Sequence, residues 1–486
     1  MTLEQNKKTA ANWDYKYVEV QNKDEELDKS DPKPNYTQEF ISTLIVGLVM
    51  INSGINFTWI GPILPQLLSG NFKIQITMEQ SVWIIGLVNI GAIPGCLVAS
   101  MVSNKYGRKK AIIMSAIPFI ISALIDIFAE SVLHYYIARF MGGYGIGVSF
   151  AVVPMYISEI SSPNIRGILS VSIYMAMSMG TLFVFVFGAY LPIVTYCAVL
   201  TIFPIIQLVF TFYLSETPYF HMIKNNYNEA ENALKFLRKK SNVQDELNRL
   251  IEGYKDQTAE GKPSVWDLFT DSTNLKSVFI VTVLLMGQMW TGARAIFEYS
   301  QVLFEDGHSS ISAEKCGIIV AVMNFAVIFL SGWLVDRFGR RKLIMASGII
   351  TFLPLAVLGG YFYLQDYTNF EHMEKLRLIP LIGIVFFKFS FGIGLHGMAY
   401  VLTGELFPTS VKAYATSVIS IIGSAIAVAA NKMYQVVLTK FDYPGVFVMF
   451  IMWLILVLIF AYFVVPETKG LTLEEIQVKL RKLNKK

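Results

Sequence analysis

The sequence contains 486 residues, of which 54% are hydrophobic and only 16% are charged. A soluble globular protein would carry nearer a quarter charged residues, so the composition argues against that class. The net charge of +4 reflects basic residues concentrated between apolar segments, which indicates membrane topology rather than nucleic-acid binding.

The apolar residues form twelve blocks of about 20 residues, the length that a helix needs to cross a ~30 Å hydrocarbon layer. Only helices and closed barrels satisfy the backbone in hydrocarbon, and the alternating segments of barrel strands are absent. We therefore predict an all-α membrane protein with twelve transmembrane helices in two six-helix bundles. The blocks are residues 40–62, 81–102, 111–129, 132–156, 167–190, 192–214, 277–300, 311–335, 343–364, 378–402, 412–437 and 443–465.

The polar segments divide the chain and set its orientation. Most Lys and Arg residues lie in segments that would face the cytoplasm if the N-terminus did, so we expect both termini to be cytoplasmic. The polar N-terminal segment has no apolar core like that of a signal peptide, so we expect no cleavage. The predicted division is a tail at 1–39, a bundle at 40–214, a linker at 215–276, a bundle at 277–465 and a tail at 466–486.

The linker between the bundles carries its own periodicity. Residues 227–239 and 242–257 space Ala, Leu and Phe among charges as an amphipathic helix would. We expect short helices lying against the cytoplasmic face, and the alternative is a disordered linker.

The two bundles repeat the same landmarks. Asn104-Lys-Tyr-Gly-Arg-Lys109 follows the second block, and Asp336-Arg-Phe-Gly-Arg-Arg341 follows the eighth. The repeat indicates duplicated bundles around a central site near the membrane midplane. Matching carboxylate and basic positions close the fourth and tenth blocks: Glu159 and Arg166, then Glu405 and Lys412.

Longer motifs surround these landmarks. The second basic loop reads Gly332-Trp-Leu-Val-Asp-Arg-Phe-Gly-Arg-Arg341, and Pro154-Met-Tyr-Ile-Ser-Glu159 ends the fourth block. Ser215-Glu-Thr-Pro218 and Pro466-Glu-Thr-Lys-Gly470 close the two halves. Over about residues 40–480 the sequence resembles the sugar porter family of the major facilitator superfamily, and it is similar to the insect facilitated trehalose and hexose transporters.

The resemblance implies an ion-pair network that holds the cytoplasmic side shut. Charges at helix ends at partial dielectric interact by some kcal/mol and can bias two conformations. The alternative is that these Lys and Arg residues only follow the positive-inside rule, but that rule does not explain the paired carboxylates. Lys412 replaces the usual Arg and lacks its bidentate fork, so one half of the lock is expected to be weaker. The implied gate residues are Arg108, Glu159, Arg166, Asp336, Arg340, Glu405 and Lys412.

The resemblance also implies a substrate site. A sugar offers donors and acceptors, so its site needs polar side chains in an otherwise apolar cavity. Met289 and Tyr174 stand where the family has glutamines, which predicts an altered preference. The alternatives are interhelical hydrogen bonds for the amides and packing roles for the aromatic residues. The candidate substrate residues are Gln288, Asn324, Tyr400, Arg294, Tyr174 and Trp290.

Two pairs of charges lie within the apolar blocks. Arg294 and Glu298 are one helical turn apart, so we predict that they neutralise each other as an outer gate; alternatively, Arg294 binds an acidic solute. Asp126 and Arg139 are equally distant from the turn between their helices, roughly 10 Å deep, which predicts an ion pair. Residues 41–62 contain no carboxylate, so passive transport is favoured unless Asp126 serves as a proton site.

The expected function is facilitative uniport of a hexose or trehalose by alternating access across the plasma membrane. The alternatives are a proton-coupled carrier, a carrier of a non-sugar organic solute and a non-transporting sugar sensor. No metal-ligand spacing and no nucleophile beside a base occurs, so we expect no enzyme activity, no cofactor and no metal. The expected partners are a sugar and the lipid bilayer, with no nucleic acid. The solute and the oligomeric state stay open.

Overall fold

The computed structural model describes residues 35–69, 74–162, 164–240, 242–259, 266–368, 372–408, 411–469, 475–476 and 480. In this part of the chain the regular structure is entirely helical. The first helices, which we call the N-terminal half, are α1 (Thr37–Thr58), α2 (Leu64–Leu68), α3 (Met78–Tyr106), α4 (Arg108–Ile127), α5 (Val132–Ile160), α6 (Arg166–Tyr190) and α7 (Ile193–Thr211).

Short helices lead from these to a second group, the C-terminal half. The short helices are α8 (Pro218–Ile223), α9 (Tyr227–Arg238), α10 (Gln244–Ala259) and α11 (Asp267–Thr270). The C-terminal half contains α12 (Ser272–Trp290), α13 (Ala293–Glu298), α14 (Ser300–Asp306), α15 (Ala313–Phe338), α16 (Arg340–Tyr367), α17 (Met373–Leu376), α18 (Ile379–Ile393), α19 (Leu395–Leu406) and α20 (Lys412–Phe463).

The helices account for twelve membrane crossings. Eleven described helical segments are long and apolar enough to span a membrane. The last, Tyr414–Phe463, has 50 residues, which makes it roughly 75 Å long, far more than one hydrocarbon layer. It is interrupted at Asp442, whose φ of 52° and ψ of −167° are not helical. Two crossings therefore share this run, and the predicted twelve-helix architecture is confirmed.

Close packing in the N-terminal half depends on glycine. A Cβ at Gly143 would lie 2.1 Å from the Val88 carbonyl oxygen, and one at Gly147 would lie 2.1 Å from that of Ala92. Only glycine therefore lets α5 approach α3 this closely. This contact explains why Gly143 and Gly147 are glycines.

The short helices mark one side of the molecule. The buried face of α9 carries Ala230, Ala233, Leu234 and Leu237, spaced as in an amphipathic helix. Arg238 donates to the Ile160 carbonyl at 2.8 Å and pairs with the buried Glu39 at 2.9 Å. We call this the linker side and the opposite end of the bundles the far side.

Candidate functional site

On the linker side of the N-terminal half, one carboxylate joins two elements. Arg108, at the start of α4, donates to Glu159 Oε1 at 2.8 Å through Nη2 and at 3.1 Å through Nε. The Thr217 hydroxyl donates to Glu159 Oε2. Glu216 accepts from the Arg108 backbone N–H at 2.9 Å and from that of Lys109, so it caps the N-terminus of α4.

The C-terminal half repeats this cluster. Arg340 Nη2 donates to Glu405 Oε1 at 2.7 Å, and the Thr468 hydroxyl donates to Oε2 at 2.6 Å. Glu467 accepts from the backbone N–H of Arg340 at 2.9 Å and that of Arg341 at 3.1 Å. Sequence reasoning did not assign roles to Glu216, Thr217, Glu467 and Thr468, although the repeated Glu-Thr dipeptide was the available signal.

Burial and hydrogen bonding act in opposite directions on Glu467. Burial raises the pKa of its carboxyl, but backbone N–H groups donated by Arg340, Lys469, Arg341 and Thr468 lower it more. The resulting pKa lies below the ordinary value of glutamic acid. The carboxylate therefore stays ionised as the cap of α16.

These ion pairs lie within the halves. Arg108 and Glu159 both belong to the N-terminal half, and Arg340 and Glu405 both belong to the C-terminal half. Among the other expected gate residues, Arg166 is exposed and donates to the Ser161 carbonyl at 3.4 Å. Half-buried Lys412 lies near Glu405, and the side chain of Asp336 is outside the described part. An ion-pair network that joins the two halves and holds the cytoplasmic side shut stays a prediction.

On the far side, contacts cross between the halves. Arg294 Nη1 donates to Asn89 Oδ1 at 2.6 Å, and its guanidinium lies 4.2 Å from the centre of the Phe57 ring. The Tyr299 and Ser81 hydroxyls are 3.3 Å apart. Further contacts join Lys432 to Glu79 at 3.5 Å and the rings of Phe185 and Phe297 at 5.2 Å. The far side is therefore closed by contacts between the halves.

The two buried charges of α13 meet as predicted from their spacing. Arg294 Nε donates to Glu298 Oε1 at 2.6 Å, and both side chains are buried. A third charge, which sequence reasoning left without a role, lies nearby. Lys388 Nζ donates to the Ala293 carbonyl at 3.2 Å and lies 4.1 Å from the centre of the Phe297 ring. Its role depends on how α18 packs on α13, which no local pattern reveals.

The candidate substrate residues other than Arg294 differ in their surroundings. Buried Gln288 has its Nε2 3.5 Å from His396 Nδ1, and Asn324 donates to the Ser178 hydroxyl of the other half at 3.4 Å. Tyr174 and Tyr400, from different halves, are 41% and 49% exposed although they lie near each other inside the bundle. They therefore line an open central cavity. Trp290 donates to the Ile426 carbonyl at 3.3 Å and packs on Trp453, so its indole N–H is already occupied.

Asp126 and Arg139 form a buried pair inside the N-terminal half. The Arg139 guanidinium donates to the Asp126 carboxylate and lies 4.1 Å from the centre of the Trp59 ring. The adjacent cavity, lined partly by Asn52 and Asn56, has a volume of about 10 Å³, room for no more than one water. Little space for a solute therefore adjoins this pair.

Comparison with known proteins gives a consistent family. The chain matches the family described as "Sugar (and other) transporter" over residues 14–480. It is 28% identical to the facilitated trehalose transporter Tret1 of Culex quinquefasciatus over 444 residues, 91% of this chain and 86% of that protein. It is 27% identical to the Tret1-2 homolog of Drosophila simulans, covering 92% of each chain. It spans only 55% of the 28% identical Tret1 of Aedes aegypti, which covers 91% of this chain.

Solved structures match the fold. The proton:xylose symporter XylE bound to 6-bromo-6-deoxy-D-glucose matches with a TM-score of 0.73 and 20% identity, covering 92% of this chain and all of that one (100%). The partially occluded inward open conformation of XylE from E. coli matches with a TM-score of 0.75 at 20% identity, over 90% of this chain and 100% of that one. At this identity the likeness establishes the helical architecture alone.

Proposed function

This chain belongs to the family of sugar and other transporters, and on that premise we propose that it is a facilitative sugar carrier that works by alternating access. The observation that supports this most directly is the asymmetry of its contacts. Hydrogen bonds join the halves on the far side, whereas Arg108–Glu159 and Arg340–Glu405 each lie within one half. Within the described residues, closure of the far side and the confinement of these two ion pairs to single halves fit the arrangement that alternating access requires.

The proposed solute is a neutral sugar, trehalose or a hexose. The relatives of Culex and Drosophila are named trehalose transporters. The proposed sugar contacts are the phenols of Tyr174 and Tyr400, together with the amides of Gln288 and Asn324. Amides and phenols both donate and accept, which suits sugar hydroxyls.

The proposed transport is passive. Glu39 in α1 is occupied by Ser162 and Arg238 on the linker side, and Arg139 is paired with Asp126. A proton-coupled carrier is the second candidate, because Asp126 is a buried carboxylate beside an arginine.

In both cases the protein is not an enzyme. The proposed location is the plasma membrane. The termini and the linker side face the cytoplasm, since Lys and Arg concentrate in these segments.

Uptake of radiolabelled trehalose and glucose into liposomes containing the purified protein tests the function. We expect saturable uptake of at least one sugar that is independent of an imposed proton gradient. Gradient-driven accumulation that Asp126→Asn abolishes would instead establish proton coupling. Folded protein without uptake of either sugar would point to a non-sugar solute or to a sensor.

A further inference from the structure

A small cavity inside the N-terminal half adjoins two buried residues whose oxygen atoms are not all used. Asn52 on α1 and Asp126 on α4 both line this cavity, whose volume is about 10 Å³. Both side chains are buried, and within the described residues Asn52 Oδ1 and Asp126 Oδ1 have no hydrogen-bond partner. The rest of the wall is mostly apolar and includes Ile55, Phe119 and Leu200. Two acceptors are therefore left beside one small space.

The other polar atoms of these two side chains are already engaged. Asn52 Nδ2 donates to Gln207 Oε1 at 2.8 Å and to the Leu48 carbonyl at 3.0 Å. Asp126 Oδ2 accepts from the Arg139 guanidinium. Most buried polar side chains in folded proteins find a partner, either in the protein or in ordered water. The two remaining oxygen atoms therefore need a donor that the surrounding helices do not supply.

We propose that this cavity is a binding site for one water molecule, which donates one hydrogen bond to Asn52 Oδ1 and the other to Asp126 Oδ1. A volume of about 10 Å³ matches the space that a single water needs. A buried water takes about two to four polar partners, and it bonds to groups that the protein itself leaves unsatisfied. The inference does not depend on which solute the protein carries.

Charge and volume together select water as the ligand. Because both unused atoms are acceptors, the ligand must be a hydrogen-bond donor or a cation. Asp126 and Arg139 already neutralise each other, so a sodium ion would place an uncompensated positive charge in a buried site. The cavity is too small for any part of a sugar ring. A neutral water satisfies both acceptors without adding charge.

The water joins two hydrogen-bonded networks that otherwise end at the cavity. On one side, Gln207 of α7 connects Asn52 to Ser115 of α4, to which its Nε2 donates at 3.0 Å. On the other side, Arg139 of α5 holds the Asp126 carboxylate. The water therefore links α1, α4, α5 and α7 through one continuous set of buried polar groups. This linkage favours movement of these four helices as one body.

Hydroxyl-radical labelling of the intact protein in detergent tests the site. Brief radiolysis creates radicals from water, so a bound internal water oxidises the reactive side chains beside it. Cys197 lines the cavity and is only 1% exposed. Cys96, which donates to the Gly147 carbonyl instead, is 8% exposed. We expect Cys197 to be oxidised several-fold faster than Cys96, although bulk water reaches it less. Equal or slower oxidation of Cys197 would overturn the proposal.

Ala123→Val separates a cavity that holds water from a dry one. Ala123 lines the cavity, so a larger side chain displaces the water and leaves both acceptors unsatisfied. We expect a lower melting temperature and loss of the fast oxidation of Cys197. Filling a dry cavity would instead add packing contacts and raise the melting temperature. Unchanged oxidation of Cys197 would overturn the proposal whatever the melting temperature. Ala198→Val is the matched control, because Ala198 is exposed on α7, and it should change neither quantity.

Replacing sodium by choline in the buffer tests the charge argument. We expect the melting temperature and the oxidation of Cys197 to be the same in sodium chloride and in choline chloride. A higher melting temperature in sodium chloride, with slower oxidation of Cys197, would show that sodium occupies the cavity and would overturn the assignment to water. If Ala123→Val does not fold, the comparison of Cys197 with Cys96 in the wild-type protein decides the proposal by itself.

Discussion

On the linker side, each half contains one glutamate whose carboxylate accepts hydrogen bonds from two elements. We call each of these arrangements a corner cluster. Glu405 accepts from Arg340 through one oxygen and from Thr468 through the other, and Glu159 does the same with Arg108 and Thr217. Because both oxygens are used, neither carboxylate can rotate without losing a charge-assisted bond. The neighbouring glutamate then fixes the start of the following helix. Each corner cluster therefore fixes the elements that it connects relative to one another within its half.

The cap made by Glu467 predicts a pH dependence of stability. Its lowered pKa means that its stabilisation is fully present above the ordinary range of glutamic acid and is lost as pH falls through the lower folded value. Glu467→Gln should therefore melt below the wild type at about pH 7, and the difference should shrink at about pH 3. Thermal unfolding in detergent measures this. Glu374→Gln, an exposed site paired with Arg377, should show a much smaller difference, and equal effects would contradict the cap.

At the scale of elements, breaks in helices place the charged residues. The block predicted as one helix over 277–300 ends at Trp290 and restarts at Ala293. Gly292 adopts a φ of +87°, and a Cβ there would lie 2.4 Å from the Phe450 ring. This turn sets the direction of α13, and with it the positions of Arg294 and Glu298. A second break at Gly394 separates α18, which carries Lys388, from α19, which carries Tyr400.

Gly292→Ala should disrupt this turn. The positive φ strains any L side chain, and the added methyl group meets an aromatic ring, so we expect a loss of at least about 1–2 kcal/mol in stability. Transport should fall as well, because Arg294 shifts away from Asn89. Gly360→Ala is the control: it is helical and open, and it should be neutral or stabilising. The melting temperatures and uptake rates of the two variants test this prediction. A Gly292→Ala protein with the melting temperature and uptake rate of the wild type would refute it.

The membrane spans could be predicted from the sequence more completely than the candidate site. Apolar length and basic loops predicted twelve crossings, because hydrocarbon imposes both. The spacing of Arg294 and Glu298 also predicted their contact, since one helical turn brings them together. The partner Asn89 and the neighbouring Lys388 lie on other helices, and a polar residue in an apolar run does not reveal which helix it faces. The break at Gly292 was missed because glycine in such a run equally suits close packing.

For the whole molecule, the distribution of contacts defines two bodies and one closed end. The far-side contacts come from α1, α3 and α6 of the N-terminal half and from α13, α20 and Tyr299 of the C-terminal half. Glu39 and Arg238, in contrast, attach α9 to the N-terminal half. Separation of the halves on the linker side thus leaves both corner clusters intact. Opening the far side, in contrast, requires loss of the bond between Arg294 and Asn89. Weakening that bond therefore favours the state in which the far side is open.

Asn89→Ala should shift this equilibrium toward far-side opening. Losing a hydrogen bond to a charged group costs about 1.5–3 kcal/mol in the closed state, and each 1.4 kcal/mol changes the ratio of states about tenfold. The three native cysteines are buried, so spin labels can be directed to cysteines introduced at Gln66 and Lys375, exposed positions in different halves. We expect the distance distribution between the labels to gain a longer component in Asn89→Ala and not in Thr439→Val, a control at an exposed position on α20. Identical distributions in both variants would mean that the contact does not control the far side, and the aromatic pair Phe185–Phe297 would then carry that role.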